Sequence, residues 1–310
     1  MNAAPRCVWP LAGPTASGKT EVAHLLAERM GARILSVDSM LVYRGMDVGT
    51  DKPPPEARRR FGYAGIDLAN PDDSCDVARW LAAARVALDG FEGPWIAVGG
   101  TGLYFRCLLQ GLDPSPPADP AARAEAEELL ARDGSAALYA RLRDLAPEVA
   151  VRLRDPRNPR RLVRAWEIAR AGGGHPPDRR WGDPPRLVGL RRAPADLRHR
   201  IALRARRMFG AGLLEEAREL RRRFPRWSST AMQAIGYREA FAALDGRMTP
   251  EEAVAAVAAR TVRLARRQMT WFRHQARTEW VDAEPNSAAE ALAGRIERIW
   301  RQEGPSRVAV

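Results

Sequence analysis

A chain of 310 residues, 45% of them hydrophobic, is too long for most single cores, so we expect two domains or one domain with a large insertion. It has no run of about twenty apolar residues, so we expect neither a membrane span nor a signal peptide. The three cysteines, Cys7, Cys75 and Cys107, are far apart and indicate a cytoplasmic protein with reduced thiols. The net charge of +12 favours a polyanionic partner such as nucleic acid, although an arginine-rich composition is a competing explanation.

The first motif is GPTASGKT at residues 13–20, which fits the phosphate-loop pattern G-x-x-x-x-G-K-[ST]. In such a loop the backbone amides surround a polyphosphate, Lys19 brings a positive charge to the terminal phosphate, and Thr20 offers a hydroxyl to Mg²⁺. The run Cys7–Ala12 predicts a strand before the loop, and the spacing in 21–30 predicts a helix after it. We therefore predict a polyphosphate site at the helix start, with Pro10 at an unpaired or irregular strand position.

Two further strands are predicted to end in polar groups. Residues 33–37 form an apolar run that ends at Asp38, and ligands of parallel sheets bind beyond the carboxyl ends of strands. From position alone, Asp38 is equally a catalytic group or a simple cap. Residues 95–98 form another buried run, followed by a glycine-rich turn that carries Thr101. Such a turn brings backbone and one hydroxyl close to a ligand, although most glycine-rich turns are only turns.

The rest of the chain predicts helices with one more strand. Residues 40–55 are rich in Gly and Pro and predict irregular structure, and the proline-rich stretch 113–120 predicts a hinge. Strand character returns at 186–190, and from Pro194 onward the pattern is almost entirely helical. The segments with helical spacing before Pro194 are 73–89, 121–132, 135–145 and 159–171.

These patterns predict an α/β protein with a P-loop NTPase-like parallel sheet flanked by helices, a helical insertion domain and a largely helical C-terminal part. The core domain would comprise residues 1–114 and 186–310, and the insertion would comprise residues 115–185. A basic helix with interleaved aromatic residues is expected at 261–277, where it could meet RNA. Arg200, Arg204 and Arg207 share a helical face, which usually means solvated charge.

Seven stretches follow one another along the chain: GPTASGKT, SVDSMLVYRGMDVGTDKP, VGGTGLYFRCLLQGL, SPPADP, NPRRLVRAWEI, QAIGYR and RRQMTWFR. They resemble the ordered motifs of the tRNA dimethylallyltransferase family over residues 11–273. Without the C-terminal zinc-finger extension of eukaryotic members, the chain is similar to the bacterial type. It departs from the family pattern at Asp51, where a small residue is usual, and at Arg160, where many members have glutamine.

The resemblance implies transfer of a dimethylallyl group from dimethylallyl diphosphate to N6 of adenosine 37, beside the tRNA anticodon, by a monomeric enzyme that uses Mg²⁺. Asp38 would be the general base, Lys19, Thr101 and Arg204 would complete the catalytic set, and Thr20 would be the metal ligand. The phosphate loop would hold the diphosphate of the donor rather than ATP, through Gly13, Pro14, Thr15, Ala16, Ser17, Gly18, Lys19 and Thr20.

The resemblance also implies contacts with the anticodon stem-loop of tRNA. The residues that match the family's tRNA-binding stretches are Asp38, Ser39, Met40, Leu41, Thr101, Arg123, Arg160, Arg161, Leu162, Val163, Arg164, Gln233, Ala234, Ile235, Gly236, Tyr237, Arg238, Arg266, Arg267, Gln268, Met269, Thr270, Trp271, Phe272 and Arg273. Three alternatives remain open: a small-molecule P-loop kinase, a non-catalytic RNA-binding protein, and an adenylate isopentenyltransferase that modifies a free nucleotide. Phosphoryl transfer would favour the first, and a lack of tRNA affinity would favour the third.

Overall fold

The computed structural model describes residues 6–112, 116, 119–153, 155–172 and 182–309. The chain divides into two compact units, one formed by Met1–Gly111 with Asp183–Val310 and the other by Leu112–Gly182. The sequence predicted the divisions at 114/115 and 185/186, a few residues beyond these positions. Much of the predicted hinge at 113–120 lies outside the described residues.

The larger unit is built on a six-stranded sheet. Its strands are β1 (Cys7–Ala12), β2 (Arg33–Val37), β3 (Trp95–Gly99), β4 (Arg186–Arg192), β5 (Arg277–Ala283) and β6 (Ser306–Arg307). The first five are parallel in the order β2-β3-β1-β4-β5, and β6 pairs antiparallel with the start of β1. The carboxyl ends of the five parallel strands therefore meet at one edge, where ligands of such sheets bind.

The strand β5 corrects one prediction. An almost entirely helical chain after Pro194 is wrong at Arg277–Ala283, which pairs along its whole length with β4. Its sequence RTEWVDA buries only Val281 and Ala283 completely, and it is the last strand of the parallel order. A polar edge strand lacks the continuous apolar run that revealed the central strands.

Pro10 lies in the middle of β1 without disrupting it. On one side of β1 the partner is β3, and on the other side the partner changes from β6, at Cys7 and Val8, to β4, at Leu11 and Ala12. Val308 N donates to Arg6 O, and backbone groups alternate between the two sides of a strand. The missing N–H of Pro10 therefore falls at the point where the partner strand changes, which is an unpaired position as expected.

Twelve helices are present in the described part of the chain. They are α1 (Lys19–Met30), α2 (Pro55–Arg60), α3 (Val77–Asp89), α4 (Gly102–Gln110), α5 (Pro120–Leu145), α6 (Pro147–Arg152), α7 (Pro159–Arg170), α8 (Pro194–Gly210), α9 (Leu213–Arg223), α10 (Tyr237–Leu244), α11 (Pro250–Gln275) and α12 (Ala289–Glu303). Helices α1 and α12 bury Leu26 and Ile296 against Ile34 and Ile96 of the sheet. Thr249 begins α11 with a reciprocal capping box, in which Thr249 Oγ1 accepts from the amide of Glu252.

The smaller unit contains α5, α6 and α7 around its own apolar core, which includes Leu129, Leu142 and Leu162. Helix α5 is broken at Gly134, whose φ of 80° and ψ of 173° are not helical, so the two predicted helices are separate segments. The predicted fold class is thereby confirmed, with a parallel sheet flanked by helices and a helical insertion. Among the described residues, no helix is both long and apolar enough to cross a bilayer.

Candidate active site

The phosphate loop joins β1 to α1 and has the backbone that its glycines predict. A Cβ at Gly13 would lie 2.6 Å from Leu190 O, and Gly18 has a φ of 94°, which side chains other than glycine rarely adopt. Ala16 has a φ of 65°, so the loop holds one non-glycine residue in the left-handed region. Because α1 begins at Lys19, the loop amides and the positive end of the helix lie together.

Lys19 lines a cavity of about 70 Å³ at the carboxyl edge of the sheet, together with Asp38, Asp51 and Arg204. Its Nζ donates to Pro14 O at 3.3 Å. Burial lowers the pKa of Lys19 to about 8, the charges of Asp38 and Asp51 oppose this shift, and the charge of Arg204 adds to it. The site thus brings two cations and two carboxylates to the position where the sequence predicted a polyphosphate.

Asp38 and Thr101 are brought together by neighbouring strand ends. Asp38 follows β2, and its Oδ1 accepts from Met40 N at 2.8 Å. Thr101 follows β3, its N donates to Val37 O at 3.2 Å, and its Oγ1 accepts from Ser39 N at 3.2 Å. Asp38 is therefore a local cap, yet no described residue donates a hydrogen bond to its Oδ2. Because Asp38 lines the cavity, its Oδ2 is available for a catalytic role.

Two side chains of α11, Gln268 and Trp271, pack against the turn after β3. A Cβ at Gly100 would lie 2.3 Å from Gln268 Nε2, and a Cβ at Gly102 would lie 2.1 Å from the indole of Trp271. Gln268 Oε1 also accepts from Thr15 N at 2.9 Å, so this side chain bridges the phosphate loop and the turn. The sequence predicted tRNA contacts for Gln268 and Trp271. In the described structure Gln268 contacts the phosphate loop, and both side chains contact the turn after β3.

Two arginines hold the backbone of the phosphate loop. The sequence did not single out either of them as a site residue. Arg192, at the end of β4, donates through Nε to Ser17 O at 2.8 Å, and Arg200 donates through Nε to Ala16 O at 3.0 Å. Arg204, one turn further along α8, donates to Thr50 O at 3.0 Å. The spacing of the arginines in α8 is the sequence pattern that could have indicated these contacts, but such spacing usually indicates solvated charge.

Glu216 of α9 holds the segment that follows β2 and was also missed. Its Oε2 accepts from Asp47 N at 2.9 Å and Val48 N at 2.7 Å. Its Oε1 accepts from Gly49 N at 3.0 Å and Tyr237 Oη at 2.6 Å. A Cβ at Gly49 would lie 2.5 Å from the Tyr237 ring, so the segment and α10 are in close contact. A glutamate in an ordinary amphipathic helix gives no sequence signal for this role.

Several residues expected to bind tRNA have buried side chains. They are Leu162, Val163, Ala234, Tyr237 and Phe272, each exposed by 6% or less. They support the neighbouring exposed residues, since a residue in an amphipathic helix has one buried and one solvated face. The exposed members of the same stretches are Arg160, Arg161, Arg238, Arg266, Arg267, Thr270 and Arg273.

In the smaller unit, two of the predicted tRNA-binding arginines share one buried carboxylate. Glu167 is 1% exposed and accepts from Arg123 Nε at 2.6 Å and from an Arg164 Nη at 2.9 Å. Arg164 also donates to Pro116 O. One buried negative charge therefore orients two arginines, which remain partly exposed and carry a net positive charge.

Comparisons with known proteins agree with the motif order. Residues 41–275 match the family model described as IPP transferase. A tRNA dimethylallyltransferase of Anaeromyxobacter dehalogenans is 43% identical over 298 residues, covering 93% of this chain and 98% of the relative. One of Thermus thermophilus is 43% identical over 273 residues, covering 86% and 89%.

A solved structure gives the same result at the level of the fold. The tRNA isopentenylpyrophosphate transferase of Bacillus halodurans is 32% identical, has a TM-score of 0.65, and is matched over 96% of this chain and 99% of its own. The similarity therefore includes both the larger unit, which carries the phosphate loop, and the smaller helical unit. The resemblance seen in the motifs is confirmed, and the chain belongs to the IPP transferase family, the family of the tRNA dimethylallyltransferases.

Proposed function

We propose that this protein transfers a dimethylallyl group from dimethylallyl diphosphate to N6 of adenosine 37 in tRNA. The observation that carries the proposal is that Lys19 of the phosphate loop and Asp38 line one cavity. A diphosphate leaving group needs cations, and an amine nucleophile needs a proton acceptor, so the two ends of the reaction require these two groups. The names of the relatives support tRNA as the acceptor.

At the donor end, the bond between the allylic carbon and the diphosphate oxygen breaks, and its electron pair leaves with the diphosphate. The loop amides and Lys19 stabilise the negative charge that develops there, which is where fixed donors accelerate a reaction most. Arg204 lies on the same cavity and supplies a second cation. Arg192 and Arg200 hold the backbone of Ser17 and Ala16 in place.

At the acceptor end, N6 forms the new bond to the allylic carbon and loses one proton. The lone pair of N6 is delocalised into the adenine ring, so it is a weak nucleophile until that proton is removed. Asp38 Oδ2 takes the proton, while Oδ1 keeps its hydrogen bond to Met40 N. Since a stacked base cannot reach this cavity, adenosine 37 must be turned out of its loop.

Mg²⁺ fits the site as a partner of the diphosphate. Thr20 is exposed at the start of α1, and its hydroxyl can hold the ion as the sequence predicted. The described residues contain no group of three or more His, Cys, Asp or Glu able to hold a metal alone. Mg²⁺ commonly binds through one or two protein oxygens, with phosphates and waters completing its shell. When bound, it would neutralise part of the diphosphate charge.

The test is Asp38→Asn, which keeps the size of the side chain and an oxygen for Met40 N but removes the base. We expect the single-turnover transfer rate to fall about 10² to 10⁴-fold, with donor and tRNA affinities retained. Asp245→Asn, on an exposed surface pair, is the control for the change in charge and should transfer normally.

Other outcomes separate the alternative roles of Asp38. A wild-type rate in Asp38→Asn would remove the general base from the mechanism. Loss of donor affinity that higher Mg²⁺ restores would make Asp38 a metal ligand, as in P-loop kinases. A lower melting temperature with donor and tRNA binding both reduced would leave it as a cap alone. The nucleoside product, identified by mass, shows whether N6 of adenosine 37 is the acceptor.

A further inference from the structure

Asp51 lines the cavity of the candidate site together with the cations Lys19 and Arg204. It has a φ of 55°, so a non-glycine residue is held in the left-handed region. Its carboxylate lies 3.3 Å from an Nη of Arg204 and 3.2 Å from an Nη of Arg207. The carbonyl of Thr50 accepts a hydrogen bond from Arg204 at 3.0 Å.

This arrangement gives Arg204 an anionic partner inside the protein. Arg204 and Asp51 line the same cavity as Lys19, and the Arg204 side chain is only 22% exposed. An incoming diphosphate needs the N–H groups of Arg204 that Asp51 engages, and it brings its own negative charge towards the carboxylate. Binding must therefore break the Asp51–Arg204 pair or accept the repulsion.

We propose that Asp51 is a counter-ion that holds Arg204 in the absence of ligand and weakens the binding of diphosphate groups at this site. The inference rests on the proposed function, because it assumes that diphosphate occupies the cavity. The same repulsion acts on the donor and on the diphosphate product. Asp51 thus raises the donor concentration that the enzyme requires and favours release of the product. It is a residue that tunes affinity and not a catalytic residue.

The electrostatics of Lys19 agree with this assignment. The Asp51 charge is among those that raise the pKa of Lys19 against the effect of burial. Asp51 therefore acts on Lys19 as well as on the two arginines. Removing its charge leaves Lys19 and Arg204, the two cations of the cavity, to the ligand.

The test is Asp51→Asn, because asparagine has nearly the same shape and tolerates a positive φ. Asp245→Asn is a matched control. Asp245 has the same 36% side-chain exposure and also pairs with two arginines, Arg221 at 2.6 Å and Arg247 at 2.8 Å. The probe is inorganic diphosphate with Mg²⁺, titrated into the full chain by calorimetry without RNA. We expect about fivefold tighter binding in Asp51→Asn and unchanged binding in the control.

A double variant shows whether the effect acts through Arg204. In an Arg204→Gln background, the further change Asp51→Asn should improve binding much less than it does in the wild type. Unchanged or weaker diphosphate binding in Asp51→Asn would overturn the proposal. If the binding is weaker and extra Mg²⁺ restores it, Asp51 is a metal ligand instead. Wild-type transfer from dimethylallyl diphosphate, measured on the same preparation, tests the proposed function separately.

Discussion

Only two lysines, Lys19 and Lys52, occur in this arginine-rich chain. Lys52 is buried and donates to Tyr43 O at 2.8 Å, while its Nζ lies 2.7 Å from both Asp47 and Asp67. Lys19 occupies the phosphate loop. A guanidinium is planar and wider, so it fits less well than an ammonium among the three acceptors of Lys52.

The lowered pKa of Lys19 predicts how ligand affinity depends on pH. Burial lowers it to about 8, so Lys19 is charged below that pH and becomes neutral above it in the free protein. An anionic ligand binds the charged form. We therefore expect diphosphate affinity to be full near pH 7 and to fall by up to tenfold per pH unit above about 8.

Titrations from pH 6.5 to 9.5 with inorganic diphosphate check this expectation. In Lys19→Arg the charge persists at all these values, so the alkaline decline should disappear even if affinity is lower overall. A wild-type affinity that stays constant to pH 9.5 would contradict the assignment. So would a decline that persists in Lys19→Arg.

At the residue scale, the sequence identified groups whose chemistry requires one residue type. The ends of three adjacent strands carry the phosphate loop, Asp38 and Thr101. They lie close together because parallel strands place their carboxyl ends at one edge. Arg200 and Glu216 could not be found in this way. Each acts on backbone groups far away in sequence, and such contacts depend on tertiary packing rather than on local pattern.

The backbone of the segment 47–53 is anchored by the side chain of Glu216. Glu216 accepts from three consecutive amides of this segment and from Tyr237 Oη. All four groups are donors, so only a carboxylate satisfies them together. Thr50 and Asp51, which line the cavity, follow directly.

Glu216→Gln should therefore loosen this segment, because the new amide N–H₂ meets donors. We expect about 1–3 kcal/mol of lost stability from the unsatisfied groups and a clear increase in the KM for the donor. Glu219→Gln, an exposed position on the same helix that pairs with Arg222, is the control and should change neither value. A lower melting temperature with an unchanged donor KM would mean that Glu216 supports the fold alone.

At the element scale, the central strands and most helices could be predicted, since they have clear apolar runs or periodicity. The break of α5 at Gly134 was also visible in the sequence. β5 was not, because an edge strand alternates polar and apolar residues weakly. β6 has only two residues, which is too short for any pattern.

At the scale of the whole molecule, the net charge of +12 predicts tRNA binding that weakens with salt. Each arginine that contacts a phosphate adds about 0.7 to 0.9 to the slope of log affinity against log salt. Arg160 and Arg273 are exposed, so their replacement by glutamine should flatten this slope with little change in melting temperature. Arg164 is bound to Glu167, so its loss should also destabilise the helical insertion.

Arg301→Gln is a control for this series, since Arg301 is 76% exposed and pairs with Glu297 on α12. Its salt slope should equal that of the wild type. An unchanged slope in the Arg160, Arg164 and Arg273 variants would show that these arginines are solvated or structural. Filter binding over about 50 to 300 mM salt measures the slopes of the wild type and the four variants.

The pairing of Cys7 with Arg307 has a consequence for the synthesis of the chain. β1 is made early, yet its partners β4 and β6 begin only at Arg186 and Ser306. At about 5–20 residues per second, roughly 15 s to a minute passes between the two halves of that last pairing. Until β4 is made, that edge of β1 is open, and until β6 is made its beginning stays unpaired. An unpaired strand edge is a template for aggregation, so the start of β1 is exposed to this risk long after the phosphate loop has been translated.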